Sequence, residues 1–432
     1  MRGIATSAPS SVGAAQSPIP TVSIPPLAQG CLFALQTASF LANAQRRYGD
    51  VFKLRVAGMG DLVVIADPEN VKEVLTGSPD TFLAGEANRR MLALCGQSSL
   101  LAVDGAEHLE TRRRLLPALQ GESVRAHEAL IAQLTAERLQ TWPIGKPISM
   151  YSESRKIMSE VILRAVLGVH DSPLAYEVRR ILAKTMSVTL PISLWYMHNS
   201  LALVPPWRSY AVAVGRAHEL IDELIAARES ENLEGRHDIL SLLIRAGTSD
   251  REWLRHQMMT LIVAGQDTMT SGLSWAVELL ARHPRAQTLA RERKGAYVDG
   301  VVTETLRLRT VLPGAARKLA GPAIVGPYLF PASSTLIASA LLMSRDSRIY
   351  ETPHDFRPDR WLDKRPGTYT WLPFGGGRRR CIGAKFAEME LRVALSTMLT
   401  YAHWRAVGRE PEKQKLRLSL IPARGALIVR TR

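Results

Sequence analysis

From about Trp253 to His283 the apolar residues recur at helical spacing until Pro284 stops them, giving on the order of 30 residues and about 45 Å of helix. A helix that long crosses an entire domain, so the rest of the chain must pack around it. The 432 residues would allow about three domains by length, but no Gly/Ser linker or charge block divides them, which favours a single large unit. Most of the chain reads as helix. Val51–Val56 and Leu62–Ala66 flank a turn at Gly58 to Asp61 and predict an early hairpin. Leu418–Ile421 and Ala426–Val429 about Gly425 predict a closing one. The expected fold class is mainly α with small β-sheets (α+β) and a long central helix.

Hydrophobic residues at 46% and charged residues at 22% are ordinary for a folded globular chain, which excludes a wholly disordered protein. Residues 1–28 differ: they are rich in Ser, Ala and Pro and lack an acidic residue, so they are expected to be a disordered leader ahead of one domain at 29–432. The apolar stretch Cys31 to Ala42 is broken by Gln36 and Thr37 and falls short of the roughly 20 residues of a transmembrane anchor. Arg2 and the acid-poor leader also fit a transit peptide, but the cytoplasm is the default expectation. Three widely spaced cysteines, Cys31, Cys95 and Cys381, cannot form a disulfide framework or a structural zinc site and point to a reducing compartment. Cys31 and Cys95 are expected to be buried structural residues.

Cys381 is different. It sits in Phe374-Gly-Gly-Gly-Arg-Arg-Arg-Cys381-Ile-Gly383, a glycine-rich basic loop ahead of a helix-patterned run. Arg378, Arg379, Arg380 and the helix N-terminus are expected to favour the thiolate, the form that ligates metal. Gly375, Gly376, Gly377 and Gly383 let a large flat group approach the backbone. The loop lacks the Lys-Ser/Thr of a phosphate-binding loop; an arginine-rich nucleic-acid contact stays open at this point. The preferred reading is one thiolate beneath a planar cofactor.

Phe374, Gly377, Arg379, Cys381 and Gly383 match the haem-binding signature of the cytochrome P-450 family at every defining position, and further segments extend the resemblance over roughly residues 45 to 430. Ala264-Gly-Gln-Asp267-Thr268 resembles that family's oxygen-activation motif. Glu304-Thr-Leu-Arg307 resembles its Glu-x-x-Arg pair, Phe356-Arg-Pro-Asp-Arg360-Trp361 the segment whose arginine joins that pair, and His108-Leu-Glu-Thr-Arg112 its haem-propionate pair.

The resemblance implies a P-450-like fold with the long helix over haem b, and Cys381 as axial ligand. His108, Arg112, Arg317 and Arg379 would bind the propionates, with Ala264, Gly265, Phe374, Gly375 and Gly383 also at the cofactor. Asp267 and Thr268 would handle oxygen and protons: a glycine and a hydroxyl within the helix could free a carbonyl and open a groove, whereas the plain alternative is that Thr268 bonds back to the preceding turn and Asp267 pairs with an arginine. Glu304, Arg307 and Arg360 would form a structural lock. Substrate contacts are expected from 82–101, 188–204, Val263, Ala264, 311–316 and 420–421, with Val263, Leu312, Ala315 and Ile421 singled out. Met91, Met186, Trp195 and Met197 could also line the pocket, although packing elsewhere suits them better.

The implied activity is insertion of one oxygen atom from O2 into a lipophilic small molecule, as hydroxylation or epoxidation. The chain encodes no flavin or iron–sulfur domain, so NAD(P)H would act indirectly, through an acidic ferredoxin and ferredoxin reductase. An excess of 55 Lys and Arg over 40 Asp and Glu, net +15, would help such a carrier dock on Arg112–Arg114, Arg378–Arg380 and Lys385. The protein is expected to be a monomer that binds no nucleic acid and carries no transmembrane anchor. Alternatives are a haem-thiolate enzyme of oxidative coupling or peroxide-driven oxidation, and a basic nucleic-acid or membrane-surface binder without cofactor.

Overall fold

The computed structural model describes residues 17–90, 92–170, 173–186 and 207–431. Its axis is the helix Arg251–Arg282, opened by Asp250, whose side chain accepts from Trp253 N at 3.0 Å. It ends at His283, and Pro284 begins the next helix, Pro284–Arg293, because proline suits a first turn but not a helix interior. Most of the central helix is buried. It packs most extensively on Met150–Leu167 and also meets Trp207–Glu229, Gly295–Leu308 and Ala384–Tyr401. Its side chains contribute to the two largest apolar clusters, one shared with Gly295–Leu308 and Ala384–Tyr401, the other with Met150–Leu167 and Trp207–Glu229.

The sheets are small. The largest runs Val51–Val56, Gly60–Ile65, Thr335–Ala338, Ala315–Leu319, Phe82–Leu83 in spatial order. The expected early hairpin is its edge, with Val51 opposite Ile65. The expected closing hairpin does not form. Leu420–Pro422 instead pairs with Gln414–Leu416, and Leu427–Arg430 lies between Pro147–Ser149 and Trp404–Ala406. Gly425 fails as a two-strand turn because its carbonyl accepts from Tyr151 N at 3.1 Å and Ser149 Oγ at 3.0 Å, which draws the chain towards the start of Met150–Leu167.

Two further expectations need correction. The leader boundary at residue 28 lies too far along the chain: residues 1–16 lie outside the described residues, but Thr21 bridges Lys53, Val22 is buried and a helix runs Pro26–Leu35. Apolar Val22 and Phe33 are buried in a cluster with Phe52 and Leu54, which outweighs the Pro-rich composition. Cys31, on the outer side of that helix, is exposed, whereas Cys95 is buried as expected. No helix among the described residues is long and apolar enough to cross a membrane.

Candidate functional site

Cys381 is held by chain path. Cys381 N donates to Phe374 O at 2.9 Å, closing the loop. Gly375 and Gly377 take φ of +66° and +63°, a region that side chains disfavour. At Gly377 an added Cβ would also stand 2.1 Å from Leu75 O, so the loop lies directly on the end of the helix Pro68–Thr76. Phe374 stacks edge-on against Trp371, with centroids 5.7 Å apart. The residue is exposed to solvent although its thiol lies deep among protein atoms.

Burial pushes the Cys381 thiol above its ordinary pKa; the Gly383 N–H, Arg112 and Arg380 act in the opposite direction, and Glu388 adds to the rise. The expected thiolate bias is therefore corrected: desolvation outweighs the nearby positive charge in the free thiol. The sources of that charge also differ from expectation, since Arg379 turns away from the sulfur. It donates to Leu100 O at 3.2 Å, to Val103 O and to Asp104 Oδ1 at 2.5 Å.

Beside the loop lies a cavity whose lining includes Gly105, His108, Arg317, Arg378, Arg379 and a single carboxylate, Asp104. Arg317 is buried, and its one side-chain hydrogen bond among the described residues goes to Ala316 O at 2.8 Å. Burial, with repulsion from Arg379, brings Arg317 down to about 10. Buried His108 falls to about 4, first through burial and then through Arg379 and Arg112. Arg112 is lowered by burial and held up by Cys381. One acid among so many cations leaves buried positive charge unbalanced, and such charge requires anions. An enclosed thiol, an N–H donor and guanidinium charge near it, and a cationic end fit a metal-bearing planar group with carboxylate arms.

On the central helix, Ala264 is exposed between buried Val263 and half-buried Gly265, so the helix wall opens at this point. The expected break does not occur: the helix is continuous, and Thr268 Oγ1 donates to Ala264 O at 2.7 Å, the plain alternative for that residue. Gly265 serves packing, because a Cβ there would meet Ile162 Cδ1 at 2.5 Å on the neighbouring helix. Asp267 makes no arginine pair among the described residues. Its Oδ1 accepts from Tyr151 OH at 3.2 Å, and its Oδ2 is buried without a partner.

Glu304, Arg307 and Arg360 meet as the sequence suggested. Arg307 Nε and Nη2 donate to Glu304 at 2.8 and 2.7 Å, and Arg360 Nε reaches Glu304 Oε1 at 3.2 Å. Trp361 Nε1 at 2.8 Å and Arg357 N at 3.0 Å complete the carboxylate's shell. Arg307 spends its remaining donors on Ser344 O, Pro353 O and Asp355 O. Both ions are fully buried and well satisfied.

The named pocket residues divide. Leu312 is exposed and Ala315 half-buried, whereas Val263 and Ile421 are buried. Val263 packs with Leu92 and Cys95, joined by Leu94, Leu101 and Leu418. Leu418, at a hairpin tip, thus packs against the cluster that holds Val263, a placement the mistaken closing hairpin concealed. The expected wall 188–204, with Met91, Trp195 and Met197, lies outside the described residues, as does the Met186 side chain. Asp104 and Tyr151 were also missed, since neither belongs to a motif.

The family model described as Cytochrome P-450 matches residues 20–429. Among curated proteins, cytochrome P-450 135B1 of Mycobacterium tuberculosis is 36% identical over 420 residues, covering 93% of this chain and 88% of the relative. Cytochrome P-450 137 of the same species is 34% identical over 399 residues, covering 89% and 83%. Among solved structures, retinoic acid-bound cyanobacterial CYP120A1 superposes with a TM-score of 0.82 at 20% identity, covering 96% of this chain and 99% of that one.

Proposed function

Because this chain belongs to the cytochrome P-450 family, and is thereby a haem b-dependent monooxygenase fed with NAD(P)H electrons through redox partners, we propose that it hydroxylates or epoxidises a lipophilic small molecule. The observation that carries this reading is the enclosed Cys381 thiol beside a cavity of unbalanced cations. In it, Cys381 would ligate the haem iron through its sulfur, and Arg317, His108, Arg112 and Arg379 would hold the propionates, guanidinium forks matching carboxylates bidentately. Bound haem supplies the oxidising chemistry, its thiolate ligand favouring O–O cleavage.

The chain's own residues do the rest. Arg112 and the Gly383 N–H stabilise negative charge at Cys381 Sγ. Asp267 delivers protons to the oxygen side, and the Thr268 hydroxyl, now held by Ala264 O, turns from that carbonyl to pass them on. This acid–alcohol pair favours O2-driven chemistry over a peroxide-driven alternative. The Val263–Leu418 cluster keeps water from an apolar substrate. The lock of Glu304, Arg307 and Arg360 holds the frame and takes no part in chemistry.

An acidic ferredoxin is the proposed donor. Arg113 and Arg114 are engaged by Glu110, and Lys385 by Glu388. Arg378 and Arg380 are exposed without an ion pair among the described residues, and so are the stronger docking charges. Reversing both should slow reduction and flatten its salt dependence; a rate indifferent to salt would refute docking by charge.

The decisive experiment is the spectrum of reduced protein under carbon monoxide, expected near ~450 nm for thiolate-ligated haem. Cys381→Ser should abolish that band, and its retention would remove Cys381 from the site. A type-I spectral screen of lipophilic compounds against ferric protein then identifies the substrate class.

A further inference from the structure

A second, smaller cavity adjoins the central helix on the side of Met150–Leu167. Tyr151, Arg155, Gln266, Asp267 and Thr270 line it. Asp267 is fixed there by one oxygen only: Oδ1 accepts the Tyr151 hydroxyl at 3.2 Å, and Oδ2 is buried with no partner. An unsatisfied buried carboxylate oxygen is costly unless a mobile proton or water serves it. The other lining side chains are committed. Gln266 Nε2 donates to Ser159 Oγ at 2.8 Å, Thr270 Oγ1 to Gln266 O at 2.7 Å, and Arg155 Nη2 to Ala183 O at 3.4 Å.

We infer that Tyr151 is a positioning residue for proton delivery, orienting Asp267 so that Oδ2 takes up protons entering through the cavity it shares with Arg155, Gln266 and Thr270. The inference rests on the reading that Asp267 feeds protons to the oxygen side. A proton from bulk solvent passes through water in the cavity to Oδ2, the water giving up one proton as it receives another, so that no hydroxide is left behind. The carboxyl group then turns towards Thr268 and releases the same proton, so Asp267 ends each cycle as a carboxylate and no electron moves. Tyr151 remains a donor throughout. Burial, then the Asp267 charge, raises its phenol above the ordinary value, against smaller opposing effects of Arg417 and Arg155.

The test compares wild type, Tyr151→Phe, Asp267→Asn and the double variant as haem-loaded proteins, turning over a substrate from the spectral screen. Tyr151→Phe should leave KM unchanged, slow kcat by about tenfold, raise its solvent deuterium isotope effect and divert electrons to peroxide. The double variant should be no worse than Asp267→Asn alone. Asp267→Asn with wild-type coupling would sink the proton-feeding reading itself. Uncoupling in Asp267→Asn but not in Tyr151→Phe would sink only the role of Tyr151. A measurement without turnover closes the test. In a phenolate absorbance titration, Asp267→Asn should shift one tyrosine to lower pH relative to wild type, and a difference titration that does not move overturns the contact.

Discussion

Arg379 Nη2 lies 2.5 Å from Asp104 Oδ1, tying the cysteine loop to the segment that precedes the helix Gly105–Leu115. Asp104 also accepts from Gly85 N and Glu86 N at 2.8 Å each, so one carboxylate joins three parts of the chain. Asp104→Ala should cost about 2 kcal/mol, as expected for hydrogen bonds to a charged group. Urea unfolding of the variant measures it, and an unchanged midpoint would mean that Arg379 finds other partners.

Arg317 predicts effects of opposite sign in two states. Without cofactor it is a buried cation that no carboxylate touches among the described residues, so Arg317→Met should stabilise the haem-free protein by about 1–3 kcal/mol. If Arg317 holds a propionate as proposed, the same change should weaken haem retention. Thermal unfolding before and after haem loading, with haem transfer to an apo-globin acceptor, reads both effects. Loss of stability in both states would contradict the assignment.

His108 predicts a pH effect in the haem-free protein. Its pKa falls from the ordinary 6.5 to about 4 on folding, so the unfolded chain binds the proton more tightly. The contribution of neutral His108 is complete above 6.5 and is lost as pH falls towards about 4. His108→Phe should flatten the stability profile across that window by on the order of 2 kcal/mol. Equilibrium unfolding at stepped pH measures the difference.

Glu304 predicts a loss of stability through the lock. Glu304→Ala strands Arg307, which is fully buried, and should cost about 3–5 kcal/mol. Replacing Arg360, which is partly exposed and reaches Glu304 through one longer contact, should cost less. Calorimetry of the two variants tests the ranking.

The long helix was legible because its apolar period and Pro284 are local signals. The lock and the cysteine loop were legible because their residue types recur at fixed short spacing. What escaped depends on side chains finding distant partners. Asp104 precedes a helix but makes no cap bond there; it serves Gly85 and Glu86, about twenty residues back, instead. Gly265 reads as a site of helix opening, but a neighbouring isoleucine accounts for it. Gly425 resembles a turn, but Ser149 and Tyr151, far back in the chain, take its carbonyl. Cys31 reads as core because cysteine usually is, and nothing in its own helix indicates which side faces out.

At Gly377 and Leu75, main chain rests on main chain. The perch of the sulfur is therefore inherited as a path through space, independent of what the surrounding side chains happen to be. Walls can be rewritten to admit a new guest while this anchorage stays put, which is how one architecture comes to serve many different substrates.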